Sequence, residues 1–234
     1  MFTVAILAGG LATRLLPITE TIPKALVDVA GKPFIAWQLE YLKEQGVKRV
    51  VLCIGHLGHK IREVVGSGEL FGLEVCYSED GPNLLGTGGA LSKAIPLLGE
   101  DFFVLYGDSF LPLDFMRVQN FYEAREKPAL MTIFKNKNQW DKSNVLYLNG
   151  RLILYNKRAP RADMSHIDYG LGVVSASVFK KMSVHQAFDL ADFYQELSQQ
   201  GQLAGLEVHE RFYEIGSHIG LQETENYFLT REKL

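Results

Sequence analysis

Residues 2–7, Phe-Thr-Val-Ala-Ile-Leu, are an apolar run that stops against Gly9-Gly10. That figure, a short buried strand closed by a turn and followed by a helix-forming stretch, recurs along the chain and constrains the fold more than any other feature. Strand-like segments at 47–55, 73–78, 101–109 and 128–134 alternate with helix-like ones at 34–46, 59–66, 87–98 and 112–126. Ile35, Leu39 and Leu42 recur at helical spacing, and Gly46 can take the left-handed position beyond the last turn. Pro96 is expected to interrupt the helix over 87–98. This alternation gives a mostly parallel sheet with helices on both faces, a doubly wound α/β fold.

From residue 144 the rhythm changes. Residues 144–157 read as two short strands across Asn149-Gly150, the strongest hairpin dipeptide. A strand over 167–179 leads into a turn, and 189–201 is an amphipathic helix with Asp189 as N-cap and Gly201 beyond its end. Short strands follow at 203–210 and 211–216, and Ser217 caps a last helix. Residues 144–215 are expected to form a small β-rich lobe over the sheet, within a single domain of residues 1–234.

A chain of 234 residues, 47% of them hydrophobic, can bury a substantial core. The net charge of −3 argues against a nucleic-acid partner, whose binding surfaces are strongly basic. No apolar run approaches the ~20 residues a membrane helix needs, so no membrane association is expected. The start lacks a basic region and a small-residue cleavage site, so it reads as a strand and not a signal peptide. Cys53 and Cys76 lie in apolar strand-like runs, as buried free thiols of a cytoplasmic protein do. His56 and His59 have H-x-x-H spacing, but a partly exposed helix start explains them without a metal, and the same reading covers His166, His185, His209 and His218.

Ligands of open α/β sheets bind outside the carboxyl ends of the strands. Gly9 and Gly10 lie at such an end, where the missing Cβ lets backbone N–H groups approach an anion or a flat base. The two cations of the following stretch, Arg14 and Lys24, can hold phosphates. Asp108 ends another strand at the same edge and suits a hard cation that bridges phosphates. Gly86, Gly88 and Gly89 mark a third junction there. The dinucleotide fingerprint G-x-G-x-x-G and the P-loop are both absent, which argues against a dehydrogenase and a P-loop NTPase.

These motifs together resemble the sugar-1-phosphate nucleotidyltransferases, the NDP-sugar pyrophosphorylases. The resemblance rests on LAGG-x-x-T-R-L-x-P-x-T…P-K at Leu7–Lys24, Leu85-Gly-Thr-Gly-Gly-Ala-Leu91, Gly107-Asp108-Ser109, Lys157, Ile167-Asp-Tyr-Gly170 and Tyr213-Glu-Ile-Gly216. It covers nearly the whole chain and is strongest toward the short enzymes that make GDP-heptose or GDP-mannose. It implies a Rossmann-like core and Mg²⁺-dependent transfer of a nucleoside monophosphate from an NTP to a sugar 1-phosphate, with release of pyrophosphate.

Site roles follow from the resemblance. Leu7, Ala8, Gly9 and Gly10 would face base and ribose; Arg14, with the backbone from Gly10 to Thr13, would hold the triphosphate; Lys24 would lie against the α-phosphate. Gly86, Thr87, Gly88 and Gly89 would read the base, with Glu79 nearby. Asp108 would bind Mg²⁺ with Glu214 as the second carboxylate. Lys157 would hold the sugar phosphate, and Asp168 and Gly170 would line the sugar pocket. Arg14, Lys24 and Asp108 are thus the expected catalytic residues. The Ala-Gly-Gly loop with Gly-Thr-Gly-Gly favours GTP as donor.

Three positions depart from the commonest family pattern. Ala12 stands where glycine is usual, Glu214 where aspartate is usual, and Asn156 where a carboxylate often meets sugar hydroxyls. Arg158 and Arg161 can assist phosphate binding or line a solvated loop. Expected partners are an NTP and a sugar 1-phosphate, and a homo-oligomer is compatible with the sequence. The rival readings are transfer to another phosphorylated acceptor from UTP or CTP, and a non-catalytic nucleotide-sugar-binding regulator.

Overall fold

The computed structural model describes residues 1–136, 139–180 and 187–231. In chain order the elements are β1 (Thr3–Leu7), the two-residue strands β2 (Asp28–Val29) and β3 (Lys32–Pro33), α1 (Phe34–Glu44), β4 (Arg49–Ile54), α2 (Gly58–Val65), β5 (Glu74–Glu79), α3 (Gly86–Leu98), β6 (Asp101–Tyr106), β7 (Ser109–Phe110), α4 (Phe115–Glu123) and β8 (Ala129–Lys135). There follow β9 (Val145–Leu148), β10 (Arg151–Tyr155), β11 (His166–Ser175), α5 (Leu190–Gln199), β12 (Leu203–Val208), β13 (Tyr213–Glu214) and α6 (His218–Arg231).

The main sheet has nine strands. β5, β4, β1 and β6 are parallel neighbours; β11 runs antiparallel beside β6, and β8 and β12 continue beyond it. Period-2 alternation sorts β1 between two layers: Val4 and Ile6 meet α1, α2 and α4 on one face, whereas Ala5 meets α3 and α5 on the other. The fold is therefore doubly wound, as its alternating elements require. A third cluster, with Trp37 stacked on Phe228 at 4.0 Å, holds α6 against α1.

Several local signals act as expected. Gly46 and Gly201 take positive φ after α1 and α5, the Asp189 carboxylate accepts the Ala191 N–H, and Ser217 Oγ accepts the Gly220 N–H at 3.0 Å. Others differ. α3 runs through Pro96 to Leu98, the missing Pro96 N–H leaving the Ser92 carbonyl without its ladder donor only two residues before the helix ends. β11 stops at Ser175, whose hydroxyl accepts the Ser177 N–H and starts a 3₁₀ turn over Ala176–Phe179. The hairpin β9–β10 turns at Asn149-Gly150, both with positive φ. It does not lie over the sheet but extends it, joining β11 through Val145 and His166.

Cys53 is buried and Cys76 only half-buried, and both are free thiols. His56 and His59 are exposed at the start of α2, whereas His166 is buried and meets Glu207 Oε1 at 3.2 Å, so its reading as partly exposed is corrected. His185 lies outside the described residues. Among the described residues no helix is long and apolar enough to cross a membrane.

Candidate active site

The carboxyl ends of β5, β4, β1 and β6 border one cavity of about 240 Å³. Leu7, Ala8, Gly9, Gly10 and Cys53 line it with Gly86, Thr87 and Ala90 of α3, and Lys24, Asp80, Tyr106 and Asp108 supply its polar side chains. Burial pushes the Cys53 thiol up to about 12, with Asp80 adding to the effect. Burial thus favours the protonated thiol over the nucleophilic thiolate.

The two opening glycines have different tasks. A Cβ on Gly9 would press on the Gly55 backbone at 3.0 Å, so Gly9 is needed for close packing of the β1 and β4 loops. Gly10 has open space where its Cβ would stand. Among the described residues the N–H groups of Gly10, Leu11 and Ala12 have no protein acceptor. A run of free N–H groups beside a cavity is suited to an anion. Ala12 reaches this conformation with φ 53°, ψ 39°, left-handed geometry that costs an L-residue ~1–2 kcal/mol. Its carbonyl is tied by Thr19 Oγ1 at 2.8 Å and the Leu15 N–H at 3.2 Å.

Lys24 Nζ and Asp108 Oδ2 are 2.9 Å apart at the cavity, Lys24 mostly shielded and Asp108 partly exposed. Arg14 is exposed and does not line the cavity; its guanidinium lies beside Gly216, and Thr13 is exposed next to it. Glu214 is brought to Asp108 by its backbone only. β13 pairs it with Ser109, and the Ile215 N–H donates to Asp108 O at 2.9 Å. Its carboxylate folds onto the turn that follows, accepting from the Gly216 N–H and from Ser217 Oγ.

Two expectations for the base end need correction. Glu79 is exposed and pairs with Arg62 at 2.5 Å, and the carboxylate in the cavity is that of Asp80. Strand parity explains the difference. Val75 and Tyr77 pack toward α2, and Glu79 follows them. Cys76 packs toward α3, and Asp80 follows it into the cavity. Sequence reasoning missed Asp80, although alternation along 73–80 carries the signal. Burial pushes the Asp80 carboxyl up, opposed by the Leu85 N–H on Oδ2 and by Lys93.

Gly88 is buried and does not reach the cavity. A Cβ there would overlap the Phe188 ring, whose own backbone carbonyl accepts the Gly88 N–H at 3.0 Å. Thr87 Oγ1 donates to Asp189 at 2.9 Å and accepts the Leu190 N–H at 2.8 Å. The glycine loop is thus docked on the start of α5, with Gly86 and Thr87 left facing the cavity. Gly88→Ala is expected to lower stability by ~1–3 kcal/mol, the usual cost of overpacking, and to raise the KM for NTP. A thermal melt and nucleotide titration check both, and an unchanged Tm would show that Phe188 moves aside freely.

Asp168 does not line the cavity but lies close enough to the cavity-lining Tyr106 for their charges to interact. Burial pushes its carboxyl up to about 6, opposed by the Gly170 N–H at 3.0 Å and by Lys157. Its charge adds to burial in raising the hydroxyls of Tyr106, Tyr155 and Tyr194. Asp168 pairs with Ile133, and the β11 register shifts between Asp168 and Gly172, where Gly170 has φ 109°; this bulge bends β11 just beyond Asp168. Lys157 does not end a strand: β10 stops at Tyr155, and Lys157 is exposed in the following bend. Asn156 Oδ1 accepts the Ala159 N–H within that bend. Arg158 pairs with Asp192 and Arg161 with Asp163, so both belong to a solvated loop.

The nucleotidyl transferase family profile matches residues 3–144, more than half of the chain. The chain belongs to that family. Over 111 residues it is 41% identical to the N-acetylmuramate alpha-1-phosphate uridylyltransferase of Neisseria meningitidis serogroup B, a match covering 47% of this chain and about half, 48%, of that protein. Over 213 residues it is 27% identical to the D-glycero-alpha-D-manno-heptose 1-phosphate guanylyltransferase of Campylobacter jejuni, covering 90% of this chain and 93% of that one. In fold it is similar to HddC from Yersinia pseudotuberculosis, with a TM-score of 0.81 at 23% identity, over 97% of this chain and 100% of that one. In this nucleotidyl transferase the family-matched region holds the whole cavity rim, while Lys157, Asp168 and Glu214 lie beyond it.

Proposed function

We propose that the chain transfers a nucleoside monophosphate, GMP before any other, from its triphosphate to a sugar 1-phosphate and releases pyrophosphate. The observation that carries this is the Lys24–Asp108 pair beside the free N–H groups of Gly10–Ala12. It puts cationic and neutral donors where a triphosphate would lie. The heptose 1-phosphate relative, matched over 90% of this chain, supports the acceptor class.

In the reaction a phosphate oxygen of the sugar phosphate forms a bond to the α-phosphorus, and the bond to pyrophosphate breaks in line, its electrons leaving with pyrophosphate. The attacking oxygen is already ionised, so no strong general base is required. The protein's task is to hold two polyanions together. Lys24, freed from Asp108, neutralises the α-phosphate; the Gly10–Ala12 N–H groups and Arg14 hold the remaining phosphates; Lys157 and Asp168 receive the acceptor.

Asp108 fits Mg²⁺. Its carboxylate is partly exposed at the cavity, and among the described residues no three His, Cys, Asp or Glu side chains converge. One carboxylate completed by phosphate oxygens and water is a pattern Mg²⁺ favours. When bound, the ion would neutralise charge on the phosphates.

Asp80 supports guanine. One carboxylate oxygen is held by Leu85, and guanine offers two adjacent donors, N1–H and the 2-amino group. Uracil offers a single N–H between two carbonyls that a carboxylate repels. The uridylyltransferase relative gives UTP as the second reading. Pyrophosphate release from each of the four NTPs, against a panel of sugar 1-phosphates, is expected to give the highest kcat/KM with GTP. Asp80→Asn is expected to erode that preference by ~10-fold or more, about the effect of one lost charge-assisted hydrogen bond. A clear preference for UTP, CTP or dTTP overturns the base assignment.

A further inference from the structure

Glu214 is bound on every side by its own surroundings. Oε2 accepts the Gly216 N–H, Oε1 accepts Ser217 Oγ at 2.9 Å, and its main-chain carbonyl accepts Thr224 Oγ1 at 3.0 Å. The sequence leaves space for this fold-back at two places. A Cβ on Gly216 would overlap Oε2, and a Cβ on Gly220 would overlap Oε1. The carboxylate also sits at the amino end of α6, where negative charge is favoured. A side chain one methylene longer than aspartate reaches this position from β13.

The turn it holds is the one against which Arg14 rests. Arg14 Nη2 lies 3.0 Å from where a Cβ on Gly216 would stand. Among the described residues Arg14 has no ion-pair partner of its own, and the Gly216 turn is the surface its guanidinium lies beside.

We infer that Glu214 is a positioning residue for Arg14, acting through the Gly216 turn, and is not a ligand of the metal, which has Asp108 as its one carboxylate. This rests on the nucleotidyl-transfer reading above. The resemblance assigns the second metal carboxylate to position 214, but each oxygen there already accepts a donor from the Gly216–Ser217 turn. Moving the carboxylate to a cation would break the two bonds that hold this turn just before α6.

The test is a Mn²⁺ titration of the full-length chain with a non-hydrolysable GTP analogue, followed by electron paramagnetic resonance, alongside steady-state kinetics. Asp108→Asn is expected to weaken Mn²⁺ binding at least tenfold. Glu214→Gln is expected to change it less than about twofold while raising the KM for NTP about tenfold and leaving the KM for sugar 1-phosphate unchanged. Gly216→Ala, which keeps both carboxylates, should reproduce the NTP effect. Glu214→Asp is the sharper variant, because it keeps the charge but shortens the reach. It should behave like Glu214→Gln if the residue positions Arg14. Weak Mn²⁺ binding in Glu214→Gln that Glu214→Asp restores would overturn the inference while leaving the activity standing. No analogue-dependent Mn²⁺ binding by the unaltered chain would overturn the functional reading, and this inference with it.

Discussion

Asp108→Asn is expected to lower kcat by ~10²–10³-fold, the usual loss when one well-placed electrostatic group is removed from a charge-building transition state. Asparagine keeps the size of the side chain and its contact with Ser109 Oγ but removes the charge opposite Lys24. The fold loses little by this. The pair is partly solvated, and ion pairs of that kind contribute about 0–1 kcal/mol, at most ~4 °C in a chain of this length. A pyrophosphate-release assay with a parallel thermal melt separates the two effects. Normal turnover by the variant in Mg²⁺, or activity of the unaltered chain that survives EDTA, would remove Asp108 from the metal site.

The edge of the sheet that holds the cavity follows from the sequence because its causes are local. A short signal follows three of the four parallel strands, Gly9-Gly10 after β1, Gly107-Asp108 after β6 and Leu85-Gly86 in the loop beyond β5, and because these strands run parallel their carboxyl ends share one edge. What the sequence does not carry as plainly is decided by a single residue of register or by distant packing. Glu79 and Asp80 are neighbours of like charge, and strand parity alone sends one to Arg62 and the other into the cavity. Gly88 belongs to a glycine motif, yet its missing Cβ makes room for Phe188, a hundred residues on. The orientation of the Glu214 carboxylate depends on Gly216 and Gly220 together. Ala12 is a reverse case. Its left-handed conformation breaks a local preference, and such breaks gather at functional loops.

Asp168→Asn should raise stability and lower function at once. The folded chain holds the Asp168 carboxyl at about 6, against an ordinary value of 3.8, chiefly through burial. A carboxyl whose folded pKa is raised binds its proton more tightly in the folded chain than in the unfolded one. Its ionisation therefore costs stability as pH rises from about 4 to about 6, and the full cost is present above that window. A shift of this size corresponds to ~3 kcal/mol at most, and the partial exposure of Asp168 reduces it to ~1–2 kcal/mol. Asparagine has no charge to bury and can still accept the Gly170 N–H, so the β11 bulge is kept. The variant is expected to melt ~2–8 °C higher at pH 7.5 and no higher at pH 4. A charge kept at a cost to the fold, beside Lys157 and the cavity-lining Tyr106, points to a task in binding. The KM for sugar 1-phosphate should rise in the variant with the KM for NTP unchanged. In the unaltered chain the same KM should rise as pH falls below about 6, where the carboxylate that accepts sugar hydroxyls is lost, and in the variant that dependence should flatten. A lower Tm at pH 7.5, or an equal rise in both KM values, would show that Asp168 serves the fold and not the acceptor.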